Sequence, residues 1–101
     1  MNYPQSTVRL DKLIRYQGEQ VAKMIGYRPE QLYSKTRKKE LCIIRGVMIY
    51  RLRWSCDFTL RECSEIFHMH TSSSGYWSNR IRGLEDIGDE LTLRLLKHIK
   101  V

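Results

Sequence analysis

Hydrophobic residues recur at helical spacing along almost the whole chain, and no segment shows the two-residue alternation of a half-buried strand. A first helix is predicted to follow a capping segment at residues 4–7, because leucine, isoleucine, valine and methionine keep the helical period from there to residue 25. Gly26 is the expected stop of this helix. The pattern indicates an all-α fold.

In the middle of the chain, the hydrophobic pattern predicts a short element at residues 29–32, followed by a long helix. Ser34 or Thr36 is the expected cap of the long helix. Its hydrophobic period predicts that this helix ends near Cys56 and Asp57.

The next segment has the outline of a helix-turn-helix. Thr59 is followed three residues later by Glu62, which is the capping-box pattern at the start of a helix. A turn at residues 68–71 and a helix over about 72–87 complete the motif. A last helix is predicted over about 89–99, where leucines favour closure of the core or a homodimer seam.

Length and charge narrow the possible functions. Residues 1–101 are enough for one domain of about five to six helices, and an elaborate enzyme is not expected in so small a core. The 18 Lys and Arg residues outweigh the 11 Asp and Glu residues, which favours nucleic acid first and an anionic membrane surface second. No apolar run approaches the ~20 residues of a membrane span and no signal peptide is seen, so we expect a cytoplasmic, nucleoid-associated protein.

Positive charge is concentrated between residues 34 and 61, which hold eight basic and two acidic residues. The densest part of this basic region lies at the predicted start of the long helix, where cations oppose the helix dipole. A bound phosphate would explain cations at this position, so these residues are predicted to hold phosphates. A charged, solvated first turn is the alternative. The phosphate ligands predicted here are Lys35, Arg37, Lys38 and Lys39. The residues expected either to extend this patch or to be simple solvated surface are Arg51, Arg53 and Arg61.

The helix that begins near residue 72 has two different faces. One side carries the expected core residues Trp77, Ile81 and Leu84. The other has no aliphatic residue, so it should be exposed; its members are Ser72, Tyr76, Asn79 and Gly83, with Arg82 beside them. Asparagine suits adenine, arginine suits guanine or phosphate, and serine suits either, so this face is predicted to read DNA bases. Gly75 either permits close approach to the DNA or means that the helix starts later.

Three segments carry a family resemblance: Ser34-Lys35-Thr36-Arg37-Lys38-Lys39, then Leu60-x-Glu62 with Phe67, and Asn79-Arg80-Ile81. They are similar to the SK-x-R-(K/R) opening, the S-L-x-E-I-G…F run and the R-K-I ending of domain IV, the box-binding C-terminal domain of the bacterial replication initiator DnaA. The resemblance covers roughly residues 10 to 90. It implies a Trp-repressor-like helical bundle that binds double-stranded DNA.

The resemblance also implies roles for single residues. Arg45 falls where the family places an arginine that enters the minor groove; a solvent-exposed helical arginine is the alternative reading. The family's D-H-(S/T)-T-V-x-H-A signature falls on residues 70–77 and implies base contacts for His70, Thr71, Ser72, Ser73 and Tyr76. Only the two serines keep the residue type of the signature, so the implied target is not simply a standard DnaA box.

The expected partner is therefore double-stranded DNA, in replication initiation or transcriptional regulation, in a bacterium or one of its mobile elements. We expect a stand-alone copy, because the family's ATPase domain does not precede this segment. No cofactor, metal or nucleotide is expected, since the Cys and His spacing fits no common zinc module and no phosphate-binding loop is present. The alternatives are a protein-protein adaptor on a degenerate DNA-binding scaffold, and a membrane or RNA binder attracted by charge.

Overall fold

Five α-helices and one 3-10 helix make up the regular structure of residues 3–100, the part of the chain that the computed structural model describes; side chains are described from residue 10 onward. The helices are α1 (Tyr3–Met24), α2 (Lys39–Ser55), α3 (Leu60–Phe67), α4 (Thr71–Asp86) and α5 (Glu90–His98), and the 3-10 helix spans Pro29–Tyr33. Residues 3–100 contain no strand, so the predicted all-α class is confirmed.

Helix α2 is the central element of the core. It contacts each of the other four α-helices and the 3-10 helix. Such a helix must be apolar over most of its circumference, and nine of its seventeen residues are buried. Phe67 from α3, Ile81 from α4 and Ile99 after α5 complete the core around it.

Two predicted helix ends are confirmed in atomic detail. After α1, Gly26 has φ of 96°, and the N–H of Tyr27 donates to the carbonyl of Ala22 at 2.9 Å, which is the Schellman ending that glycine favours. At the start of α3, Thr59 Oγ1 accepts from the Glu62 N–H at 3.1 Å, and Glu62 Oε1 accepts from the Thr59 N–H at 2.8 Å. This reciprocal pair fixes where the helix-turn-helix begins.

Two predicted helix starts are wrong. Helix α1 already includes residues 4–7, which were expected to precede it. Helix α2 begins at Lys39 with Lys38 as its cap, instead of after Ser34 or Thr36. The hydroxyl of Ser34 is engaged elsewhere, since it donates to the Gln31 carbonyl at 2.9 Å and lies 2.9 Å from the Thr36 hydroxyl. These polar residues shape the loop before α2.

Helices α2 and α4 cross closely at Gly46. A methyl group at this position would lie 2.9 Å from Ile81 Cγ1 and 3.4 Å from the Trp77 carbonyl oxygen. Side chains that deep in a packed core cannot move aside without strain. The absence of a side chain at Gly46 therefore sets how near α4 lies to the core.

Because of this close crossing, we expect Gly46→Ala to lower the free energy of unfolding by about 1–3 kcal/mol through overpacking against Ile81. Gly83→Ala is the matched control, since nothing lies within 4 Å of a methyl group there. It should raise stability by up to about 1 kcal/mol through helix propensity. Urea denaturation of both variants measures the difference. Equal effects of the two substitutions would contradict the close crossing.

Candidate nucleic-acid interface

Helices α3 and α4 form the predicted helix-turn-helix, and small polar residues bring them together. Ser64 and Ser74 are buried, and their hydroxyl oxygens lie 2.8 Å apart. Ser64 also donates to the Leu60 carbonyl at 2.7 Å. A larger residue at either position would separate the helices, so this contact fixes how α3 braces α4.

The turn between these helices is only three residues long, one shorter than predicted. His68 ends α3 in the left-handed conformation, with φ of 54° and ψ of 45°. His70 caps α4, because its Nδ1 accepts from the Ser72 N–H at 3.3 Å and lies 2.9 Å from the Ser72 hydroxyl. Thr71 is therefore the first residue of α4 and lies exposed at its end.

Helix α4 continues through Gly75, so the alternative in which the helix starts later is wrong. A methyl group at Gly75 would make an ordinary contact with Leu60 Cδ1 at 3.5 Å. Packing within the domain therefore does not require glycine at this position.

The two faces of α4 agree with the predicted pattern. Exposed positions run along one side of the helix: Ser72, Tyr76, Asn79, Arg80, Arg82 and Gly83. Tyr76 is 56 % exposed and packs edge-on against the half-buried Trp77 at a ring-centroid distance of 5.3 Å. The opposite side buries Ile81 as expected, together with Ser74 and Ser78, which the hydrophobic pattern does not reveal. The exposed side is polar apart from the Tyr76 ring and holds no aliphatic side chain.

A half-open groove of about 450 Å³ lies between the loop before α2 and the first turns of α4. Lys35 and Arg37 of the loop line it together with His70 and Ser73 at the start of α4. The buried Arg45 and Phe67 also line the groove. The groove thus joins the predicted phosphate ligands of the loop to the start of α4.

Lys38 and Lys39 are exposed beside this loop. The pKa of Asp89 lies below its usual value, first because Thr92 donates its hydroxyl and N–H to the carboxylate, and also because Lys39 and Arg80 bring positive charge near it. Among the described side chains, none of the loop cations forms an ion pair with a carboxylate.

The position of Arg45 corrects the prediction that it enters a DNA groove. Its side chain is 5 % exposed, and its guanidinium donates to the carbonyls of Gln31 and Leu32 at 2.7 Å and of Ser34 at 3.2 Å. Burial lowers the pKa of Arg45 from its ordinary value. Arg45 therefore holds the segment 31–34 against α2 and is neither a solvent-exposed arginine nor a projecting one.

Other arginines of the basic region also serve the fold. Arg51 donates from Nε to the Ile99 carbonyl at 2.9 Å and from a terminal nitrogen to the Leu96 carbonyl at 2.8 Å, so it binds the last carbonyls of α5. Arg53 donates to the buried Ser78 hydroxyl at 3.0 Å. Both expectations for Arg51, an extension of the basic patch and simple solvated surface, are thus wrong, because its side chain donates to backbone carbonyls.

Arg61 lies on the first turn of α3. Its side chain is 86 % exposed and 3.9 Å from the Glu65 carboxylate. An exposed pair at this separation adds little stability. Arg61 thus remains available to an anion, but it does not line the groove.

In comparisons with known proteins, no family model, no curated protein and no solved structure matches the chain. No described helix has the length and apolar character needed to cross a membrane. Between residues 10 and 100, no three His, Cys, Asp or Glu side chains cluster in a way that would hold a metal ion. The interpretation of the site therefore rests on its own geometry.

Because Arg45 binds three carbonyls in the interior, we expect Arg45→Met to lower the free energy of unfolding by roughly 3 kcal/mol. Arg37→Met, an exposed change of the same chemistry, should alter stability by less than about 0.5 kcal/mol. Urea denaturation followed by circular dichroism compares the two variants. A stability loss at Arg45 no greater than that at Arg37 would show that the buried guanidinium does not hold the loop.

Proposed function

We propose that this chain binds double-stranded DNA through the α3–α4 helix-turn-helix, with α4 in the major groove. The observation that carries the proposal is the exposed side of α4. It is lined by Ser72, Tyr76, Asn79, Arg80 and Arg82, and it lacks aliphatic side chains. It adjoins a groove lined by Lys35 and Arg37, which form no ion pair with any described carboxylate. A helix that only faces solvent does not require a polar face beside a cationic groove. A DNA-recognition helix uses the polar face to contact bases and the cations to bind phosphates.

The phosphate contacts are assigned to the loop before α2 and to the first turn of α4. Lys35 and Arg37 reach into the groove beside Ser73. The first backbone N–H groups of a helix favour an anion, and His70 and Ser73, at the N-terminal end of α4, line the same groove. These contacts would set the position of the duplex and contribute no sequence information.

The base contacts are assigned to the centre of the exposed side. Asn79 presents an amide that is able to pair with adenine in bidentate fashion, and Ser72 presents a hydroxyl for either purine or pyrimidine. Tyr76 lies between them on the same side and offers a ring and a hydroxyl. Arg45 has no part in this proposal, because it is buried and three of its five N–H groups donate to backbone carbonyls. No minor-groove contact is therefore assigned.

The biological role is proposed from the resemblance to DnaA domain IV: replication initiation or transcriptional regulation, in the bacterial cytoplasm at the nucleoid. His70 supports a target different from the standard box, because it caps α4 where the family signature has an aspartate. The proposed target is a site with its own sequence.

A second candidate function is binding of a protein partner or of a second copy of the chain. It is favoured by hydrophobic residues exposed around α5, since Ile87 is 78 % exposed and Leu91 and Leu93 are each 38 % exposed. The rest of the helix buries Leu95 and Leu96 and so closes the core. This candidate predicts association that is insensitive to the loop cations.

If the loop cations hold phosphates, Lys35→Gln combined with Arg37→Gln should reduce the slope of log affinity against log salt by about 2, at roughly 0.9 for each lost phosphate contact. The measurement is a salt titration of binding to random duplex DNA. Lys12→Gln is the control, because Lys12 is an exposed cation on α1 outside the groove lining. An equal change of slope in both variants, or no duplex binding by the unaltered chain, would count against the proposal.

If Asn79 reads a base, Asn79→Ala should relax selection at one position of the site enriched from a random duplex pool. The discrimination lost there should be about 1–3 kcal/mol. Affinity for random duplex is the internal control and should change less than twofold. A variant that enriches the same site with the same strength would remove Asn79 from the reading face.

A further inference from the structure

A second cationic cluster lies at the other end of α4, around Trp54 at the end of α2. The guanidinium carbon of Arg53 lies 4.3 Å from the centroid of the Trp54 ring, and that of Arg82 lies 5.4 Å from the same centroid. The Tyr50 ring packs against Trp54 at 5.1 Å. Trp54 is nonetheless 44 % exposed and Arg82 is exposed, so the cluster faces solvent.

The cluster is built to hold its arginines still. Arg53 is fixed by its contact with the ring and by its 3.0 Å hydrogen bond to Ser78. A guanidinium held over an aromatic ring keeps its N–H edge in a defined direction and loses less entropy when it binds an anion. The cluster is therefore organised before any ligand arrives.

Its charge is not neutralised within the described part of the protein. Neither Arg53 nor Arg82 has a carboxylate oxygen within ion-pair distance among residues 10–100. The nearby Glu85 carboxylate instead accepts from the Tyr50 hydroxyl at 2.9 Å. The guanidinium groups of Arg53 and Arg82 both lie beside the Trp54 ring and repel each other, and a bound anion would reduce this repulsion.

The position of the cluster indicates which anion. Arg82 lies one helical turn beyond Asn79 on the exposed side of α4. Arg82 lies nine residues after Ser73, which lines the groove, and this separation is about 14 Å along the helix axis. The major groove of DNA is about 12 Å wide, so a helix lying in it can meet the phosphates of one strand near its start and of the other strand further along.

We infer that Arg53, Trp54 and Arg82 form a second phosphate-binding site, which takes the backbone of the strand opposite to the one held by Lys35 and Arg37. This inference rests on the proposed function, since it needs a duplex bound along α4. Its chemical requirement is a phosphodiester presented by duplex DNA, and Trp54 acts as the platform that positions the two guanidinium groups.

The first arm of the test is a salt titration of Arg82→Gln on random duplex DNA. Arg82 is exposed, so the substitution should leave the fold intact, and circular dichroism checks this. Loss of one phosphate contact should reduce the salt slope by about 1 and weaken binding about five- to tenfold near 0.1 M salt. Lys12→Gln should leave both quantities unchanged. An Arg82→Gln variant with the slope and affinity of the unaltered chain would overturn the inference while leaving the proposed function intact.

The second arm uses the fluorescence of Trp54 in a Trp77→Phe background. Duplex DNA should change this emission with the same saturation curve as binding, and Arg82→Gln should remove most of the change. Emission that stays constant while duplex binds would overturn the inference. So would an equal response to inorganic phosphate alone, or tighter binding of a single strand stacked on Trp54. If the unaltered chain binds no duplex at all, the inference and the proposed function both fail.

Discussion

The candidate site depends on the hydrogen bonds that the Arg45 guanidinium donates to three backbone carbonyls. The segment 31–34 is held to α2 through this side chain and the buried Leu32, and its Tyr33 ring stacks on Phe67 at 5.6 Å. Lys35 and Arg37 follow directly, so the geometry of this contact decides that they lie beside the first turns of α4. A buried guanidinium is costly unless its donors are satisfied, and here three of its five N–H groups donate to carbonyl oxygens, while the remaining terminal nitrogen lies 3.7 Å from the Cys42 sulfur.

A second constraint is the spacing of the helices around α4. Gly46 lets α4 approach α2, and the Ser64–Ser74 contact lets α3 approach α4. The inner side of α4 buries Ser74, Ser78 and Ile81, and its polar residues lie on the outer side. This polar exposed strip is the part of the molecule that we propose meets DNA.

The predictions from the sequence were most accurate where the signal is local. The capping box at Thr59 and the glycine stop at Gly26 depend on a few neighbouring residues, and both are confirmed. The start of α2 was misplaced because Ser34 has the right chemistry for a cap but uses its hydroxyl to close the loop after the 3-10 helix. Local patterns do not show which of several partners a hydroxyl will choose.

By itself the sequence determined the helical periods, most helix ends, the helix-turn-helix and the polar side of α4, because these follow from spacing and from hydrogen bonds between near neighbours. Only the tertiary structure decided what each arginine does. Arg45 and Arg51 bind backbone carbonyls far away in the chain, Arg53 and Arg82 meet at Trp54, and Lys35 and Arg37 remain at the surface. A charged side chain is long enough to serve the core, a helix end or the solvent, and the choice depends on which acceptors the fold brings within its reach.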